Sequence, residues 1–267
     1  MKTILKLLLA AFVLSLVPAT YVAAQGHIET PAERKARQER EAAAKRKRQQ
    51  PRQHWEEKAE RYSEGLAWVA DKNWRKGFVD KSGRLVIPCT WKDVRNFSEG
   101  LALVQDDNGL WGYIDKAGKV VLPCKWYRAG NFSEGLAVFR HADLDRQGYI
   151  DKTGKEVIPC QWRYTTNFSE GWALVREDNY KPWYYIDKTG EIVLECPNEY
   201  EYPHSFTEGL AGVQDKSSHK WGYINKRGEL VIPCVWRNVY DFKNGRAEVI
   251  DDNEKQHYID KTGKVIK

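Results

Sequence analysis

Cysteine, aspartate, glutamate and histidine are the side chains here whose chemistry could make an enzyme or a metal site. Cys89, Cys124, Cys160, Cys196 and Cys234 are evenly spaced. A thiol can be a nucleophile, a zinc ligand or half of a disulfide. No C-x-x-C occurs and the six histidines share no ligand spacing, which argues against zinc. A disulfide needs Cα atoms within about 7 Å, whereas equivalent positions in successive repeats should lie a sheet width apart. The expected arrangement is therefore a column of small buried hydrophobes. Disulfides are the alternative in an exported chain, with one thiol left over from an odd number.

The acidic groups are as regular. Asp80, Asp115, Asp151, Asp187 and Asp260, with Asn225 in the same place, open a turn that ends in glycine. Carboxylates and amides there accept backbone hydrogen bonds. Glu64, Glu99, Glu134, Glu170 and Glu208 each precede another turn glycine, and the same structural role is expected. His141, His204, His219 and His257 fall in variable loops with no fixed Ser, Cys or carboxylate partner. No catalytic residue, metal site or cofactor is implied, and the chain is not expected to be an enzyme.

Ligand-binding candidates come from the aromatics. Trp91, Trp126, Trp162 and Trp236 follow a cysteine by two residues, and Trp55 holds the matching position at the start. Such a row either stacks sugar rings or packs between repeats. A second candidate group, Tyr200, Tyr202 and His204, lies in "PNEYEYPHS" (197–205), where the repeat is broken: the usual Pro is Glu195, the usual Trp is Asn198, and the loop is longer by two residues. Variable loops on a regular frame are where specific contacts concentrate.

The elements that would hold these residues repeat as well. The glycine of "SEGLA" recurs at Gly65, Gly100, Gly135, Gly171, Gly209 and Gly245, giving six units of about 36 residues. Each unit has an alternating run with one constant apolar parity, as in Ala102 and Val104. Period two with one fixed face predicts a half-buried strand. "GYID" predicts a second strand, "DKTGK" a tight turn with glycine at positive φ, and "KVVIPC" a third strand that its proline ends or confines to an edge. One such unit cannot bury its own face, but stacked neighbours can.

The unit "WGYIDKxGKxVIPxxW…FSEGLAxV" resembles the WG β-rich repeat family of bacterial proteins, over residues 55–267. The Trp-Gly pair itself stands only at Trp111-Gly112 and Trp221-Gly222; elsewhere it is Lys76-Gly77, Gln147-Gly148, Trp183-Tyr184 and Gln256-His257. The resemblance implies a non-catalytic repeat scaffold and carries over no active-site residues.

The N-terminal segments differ from this body. Lys2 and Lys6 precede the apolar run Leu7–Val17, and Val22-Ala23-Ala24 offers small residues for a peptidase. Residues 1–24 are thus expected to be a signal peptide cleaved before Gln25, placing the mature chain in the periplasm or outside the cell. Residues 25–54 are expected to be a charged helical or disordered spacer. Its run Lys45, Arg46, Lys47, Arg48 is a candidate contact for an anionic surface. Residues 62–267 hold 30 basic and 30 acidic groups, so no specific nucleic-acid partner is expected, and no further segment could span a membrane.

The expected fold is all-β, about six three-stranded antiparallel repeats in an open superhelical array after the helical spacer. A closed six-bladed, propeller-like ring is the alternative. The expected function is an exported, non-catalytic scaffold for protein–protein interaction at the cell envelope, with binding of envelope glycan through the Trp row as the alternative.

Overall fold

The computed structural model describes residues 31–48 and 62–266. The signal peptide, the cleavage point before Gln25 and the Trp55 position lie outside the described residues. The chain divides into two compact units, residues 1–53 and 54–267. The first contains α1 (Pro31–Arg48). Proline suits its first turn, where the missing N–H has no intrahelical partner to lose, and Glu33 is the acid of that turn. Residues 32–41 are exposed on every side, and Arg37 donates to Glu41 one turn on. The helix spans Lys45 to Arg48, whose side chains are outside the described set.

The second unit is built from six antiparallel sheets in tandem. Sheet one has β1 (Leu66–Ala70), β2 (Lys76–Asp80) and β3 (Leu85–Trp91). Sheet two has β4 (Asp93–Val94), β5 (Leu101–Gln105), β6 (Trp111–Asp115) and β7 (Val120–Trp126). Sheet three has β8 (Arg128–Ala129), β9 (Leu136–Arg140), β10 (Gln147–Asp151) and β11 (Glu156–Trp162). Sheet four has β12 (Tyr164–Thr165), β13 (Ala173–Arg176), β14 (Tyr184–Ile186) and β15 (Ile192–Glu195). Sheet five has β16 (Tyr200–Glu201), β17 (Leu210–Asp215), β18 (Trp221–Asn225) and β19 (Leu230–Trp236). Sheet six has β20 (Asn238–Val239), β21 (Arg246–Ile250), β22 (Gln256–Asp260) and β23 (Val265–Ile266).

Five sheets thus carry four strands where three per unit are expected from the sequence. The added strand is only two residues long, too short for an apolar alternation to betray it, although Val94 and Val239 in two of them are buried. Only its register against the next strand, as in Asp93 opposite Gln105 and Val94 opposite Val104, defines it.

Both turns follow from residue type. In the "DKTGK" turn the glycine takes φ from 78° to 94°, and the preceding aspartate ties the loop down. Asp151 Oδ1 accepts the N–H groups of Thr153 and Lys155 and the Thr153 hydroxyl. In the "SEG" turn Ser63 and Leu66 exchange both backbone bonds, and Glu64 and Gly65 both have positive φ, the type I′ geometry. Glutamate is an uncommon choice there, yet five units put one at φ 50° to 55°.

The Trp-Gly glycine answers to a different constraint. A methyl group on Gly112 would lie 2.6 Å from the Leu122 carbonyl oxygen, and Gly77, Gly148 and Gly222 face the equivalent backbone more closely still. The third strand bulges over this position, with its register shifting between Trp111–Trp126 and Tyr113–Leu122.

Sheets are joined by repeated contacts. Each hydrophobic cluster that spans two sheets joins consecutive ones, as Leu103 and Tyr113 of sheet two meet Phe132 and Phe139 of sheet three. The Tyr113, Tyr149, Tyr185 and Tyr223 rings pack on Phe132, Phe168, Phe206 and Phe242 at 4.7 to 5.0 Å, and their hydroxyls donate to a backbone carbonyl of the next unit. Each of the five glutamates accepts the turn-glycine N–H of the next unit at 2.9 to 3.1 Å. Each also meets a lysine of that unit, from Lys116 to Lys261, at 2.9 to 3.7 Å.

These contacts run from sheet one to sheet six and do not close on themselves. Among the described residues no hydrogen bond, ion pair or ring contact joins sheet six to sheet one. Sheet six has Lys243 and Asn244 where the other units have Ser or Thr and Glu, and Arg246 and Glu248 replace apolar residues of its first long strand. Tyr258, the counterpart of tyrosines that are 0 to 1 % exposed, is 38 % exposed. A polar face of this kind suits the end of a stack. The array is open.

Candidate functional site

Unit four departs from the others at three linked positions. Tyr184 stands where Gly77, Gly112, Gly148 and Gly222 admit the bulged third strand. With a ring there, the bulge beside it is absent: Tyr184 pairs with Glu195 and Tyr185 with Leu194 in unbroken register. Strand β15 accordingly has four residues, against seven in β3, β7, β11 and β19. Past it the chain carries Asn198 where four other units place a tryptophan.

A second difference, shared with Leu110 of unit two, lies just ahead of the second strand. In units one, three and five the residue ahead of the second strand reaches the loop of the following unit. Arg75 pairs with Asp107, Arg146 donates to the Glu177 carbonyl, and Lys220 pairs with Asp252. Unit four has Pro182 there, which has no cation to extend.

The result is a cleft of about 360 Å³ between the loops of units four and five. On one wall, Arg176 lies over the Trp183 ring at 5.2 Å and donates to the Asn179 and Lys181 carbonyls. Tyr164 supports this wall: its hydroxyl donates to Asn179 Oδ1 at 2.6 Å and its ring lies 6.0 Å from that of Trp183. On the other, the Lys216 ammonium donates to the Asn198 carbonyl, beside Tyr200 and Tyr202. Tyr180 and Tyr202 stand out at 97 % and 60 % exposure. Tyr202 also has φ 49°. A bulky side chain rarely takes that conformation, which costs roughly 1–2 kcal/mol.

Tyr200 and Tyr202 are therefore brought together, as the broken repeat suggests. His204 is not part of the cleft: its ring packs on Trp221 at 4.9 Å, with Nδ1 3.3 Å from Asp241. Tyr180, Trp183, Arg176 and Lys216 complete the site without having been singled out in the sequence. Pro182 ahead of an intact tryptophan was the available signal.

The tryptophan row lies elsewhere. Trp126 and Trp162 are 1 % and 4 % exposed, and Trp91 and Trp236 are half-buried against the clusters of their own junctions. Trp126 and Trp162, being buried, offer no open ring face to a sugar. Burial also governs the cysteines, all with free thiols. It pushes Cys89 and Cys124 up to about 11 and Cys196, which borders the cleft, up to about 12. Such thiols stay protonated and are poor nucleophiles or metal ligands at neutral pH.

The model of the WG containing repeat matches five successive spans, 77–109, 111–144, 148–180, 183–217 and 221–254, well over half of the chain. The chain belongs to this family. In this WG repeat protein the family glycine is kept where the third strand bulges, and is replaced by Tyr184 beside the cleft and by His257 in unit six. No curated protein sequence matches it. Among solved structures it is similar to BamB from Moraxella catarrhalis, at 12 % identity over 77 % of this chain and 73 % of that one, TM-score 0.46. A streptogramin B lyase matches at 18 % identity over 74 % and 80 %, TM-score 0.41. Hsv2 of Kluyveromyces lactis matches at 9 % identity over 74 % and 70 %, TM-score 0.47. No helix of the described residues is long and apolar enough to cross a membrane.

Proposed function

We propose that this WG repeat protein is an exported, non-catalytic scaffold that docks a protein partner at the cell envelope through the cleft of units four and five. One observation carries the reading: exposed tyrosines, a stacked Arg–Trp pair and the lysines Lys181 and Lys216 gather at the junction where unit four breaks the repeat. Tyrosine, tryptophan and arginine are the residues that dominate protein-binding hot spots. The rest of the array supports a scaffold role, because its recurrent acids are engaged in turns and clamps and its thiols are held protonated. The basic start and apolar run of residues 1–24 support export.

The test is recovery of the partner from the cell envelope by the full chain and by Tyr180→Ala/Tyr202→Ala. Loss of the partner with the double variant, and retention with Tyr127→Ala/Tyr240→Ala on regular units, is expected. Equal recovery by both pairs contradicts the reading.

A further inference from the structure

We infer that the cleft takes an acidic segment of its protein partner, with carboxylates directed to Lys181 and Lys216 and side chains resting on the exposed tyrosines. This rests on the docking reading above and adds the chemistry of what docks.

The charge balance of the lining carries it. Arg176, Lys181 and Lys216 face the cleft, and Glu201 is the one acid among its lining residues. Glu201 is itself 3.8 Å from His219 Nδ1. Arg176 and Lys216 already donate to the carbonyls of Lys181, Asn179 and Asn198, which hold both cations in place without neutralising them. The Lys181 ammonium has neither hydrogen bond nor ion pair. In units one and five the cation ahead of the second strand is paired with an acid of the next unit, Arg75 with Asp107 and Lys220 with Asp252. At this junction Pro182 stands in place of such a cation, and Arg176, Lys181 and Lys216 line the cleft. Two held cations, Arg176 and Lys216, with the exposed Lys181 beside them over about 360 Å³, favour a ligand that supplies carboxylates.

The aromatics favour a peptide as the carrier of those carboxylates. Tyr180 and Tyr202 stand on opposite loops, and Trp183 presents a face already covered by Arg176. A sugar needs an open ring face to stack on, and the covered indole does not give one. Separated tyrosines in a cleft that also holds a guanidinium suit side chains spaced along a backbone.

The experiment uses the full chain and three probes: a twelve-residue peptide with four Glu and two Phe, its Gln isostere, and a tetramer of galacturonic acid. At 50 mM salt the acidic peptide is expected to bind at least tenfold tighter than the isostere. The gap should narrow at 500 mM salt, where the Debye length has fallen to roughly 4 Å. Lys181→Glu/Lys216→Glu should reverse the preference, and amide shifts should map to residues 176–183 and 196–202. Both lysines are exposed, so that variant is expected to fold; the salt series needs no variant. Equal binding of the two peptides, no binding at millimolar concentration, or tighter binding of the galacturonate overturns the inference. If the native partner is still lost with Tyr180→Ala/Tyr202→Ala while acidic and neutral peptides bind alike, docking stands and the acidic class falls.

Discussion

The Glu64 carboxylate of the first sheet lies 2.9 Å from the Lys116 ammonium of the second while accepting the Gly100 N–H beside it. Four copies of this clamp follow along the array. They explain a residue that the turn alone would not select. Positive φ disfavours glutamate, but only a side chain of that length reaches the next unit's turn and lysine together. At sheet six, where no such contact is made, the position is Asn244, a residue that, glycine apart, tolerates this backbone well.

Removing one clamp should therefore weaken the stack and relieve the turn at once. Glu134→Asn breaks the contacts to Gly171 and Lys188. A net loss of about 0.5–1.5 kcal/mol is expected, given half-exposed partners, read from urea unfolding. Asn244→Glu, with nothing to clamp, should not raise stability.

The clamps also set an acid limit. The Lys116 hydrogen bond holds Glu64 below its ordinary 4.5, and at Glu134 the Lys188 and Gly171 bonds outweigh a burial effect of the opposite sign. A carboxylate lowered in the folded state contributes stability above its unfolded value, and that contribution disappears as pH falls through the folded value. The urea midpoint should be flat from pH 7 to pH 5 and fall below about pH 4.5. A midpoint that rises on acidification would contradict the clamp.

Gly148→Ala tests the bulge. The added methyl meets the backbone of Ile158 to Cys160, which cannot swing aside as a side chain would. A loss of about 1–3 kcal/mol is expected by thermal denaturation.

Much of this was legible in the sequence, and the reason is repetition. The register of Ala102 and Val104 against "GYID", the glycine turns and the column of cysteines recur until chance is excluded. The Trp row was ambiguous because a single sequence gives residue type and spacing, and both are the same for a stacking platform and a buried seam. The two-residue strands had no periodicity to read. The cleft was half legible: Glu195 and Asn198 mark the break, but its cause is Tyr184, whose effect depends on a strand passing over it that spacing alone does not reveal. His204 was grouped with Tyr202 by proximity in the chain, and the chain turns between them.

Tyr202→Gly separates fold from function. Glycine accepts φ 49° without cost, so a gain of roughly 1 kcal/mol in stability is expected, together with weaker partner binding. A destabilised variant would show that the Tyr202 ring packs on the fold.

Site-specific photo-crosslinking in the living envelope tests the docking account most directly. A photoreactive phenylalanine is placed in the full chain at 180 or 202 in the cleft, and at 127 or 240 on regular units, where the native tyrosines are also exposed. The account predicts one common protein adduct from Tyr180 and Tyr202 and none from Tyr127 and Tyr240. Adducts of equal yield from all four positions, or from the regular units alone, would contradict it.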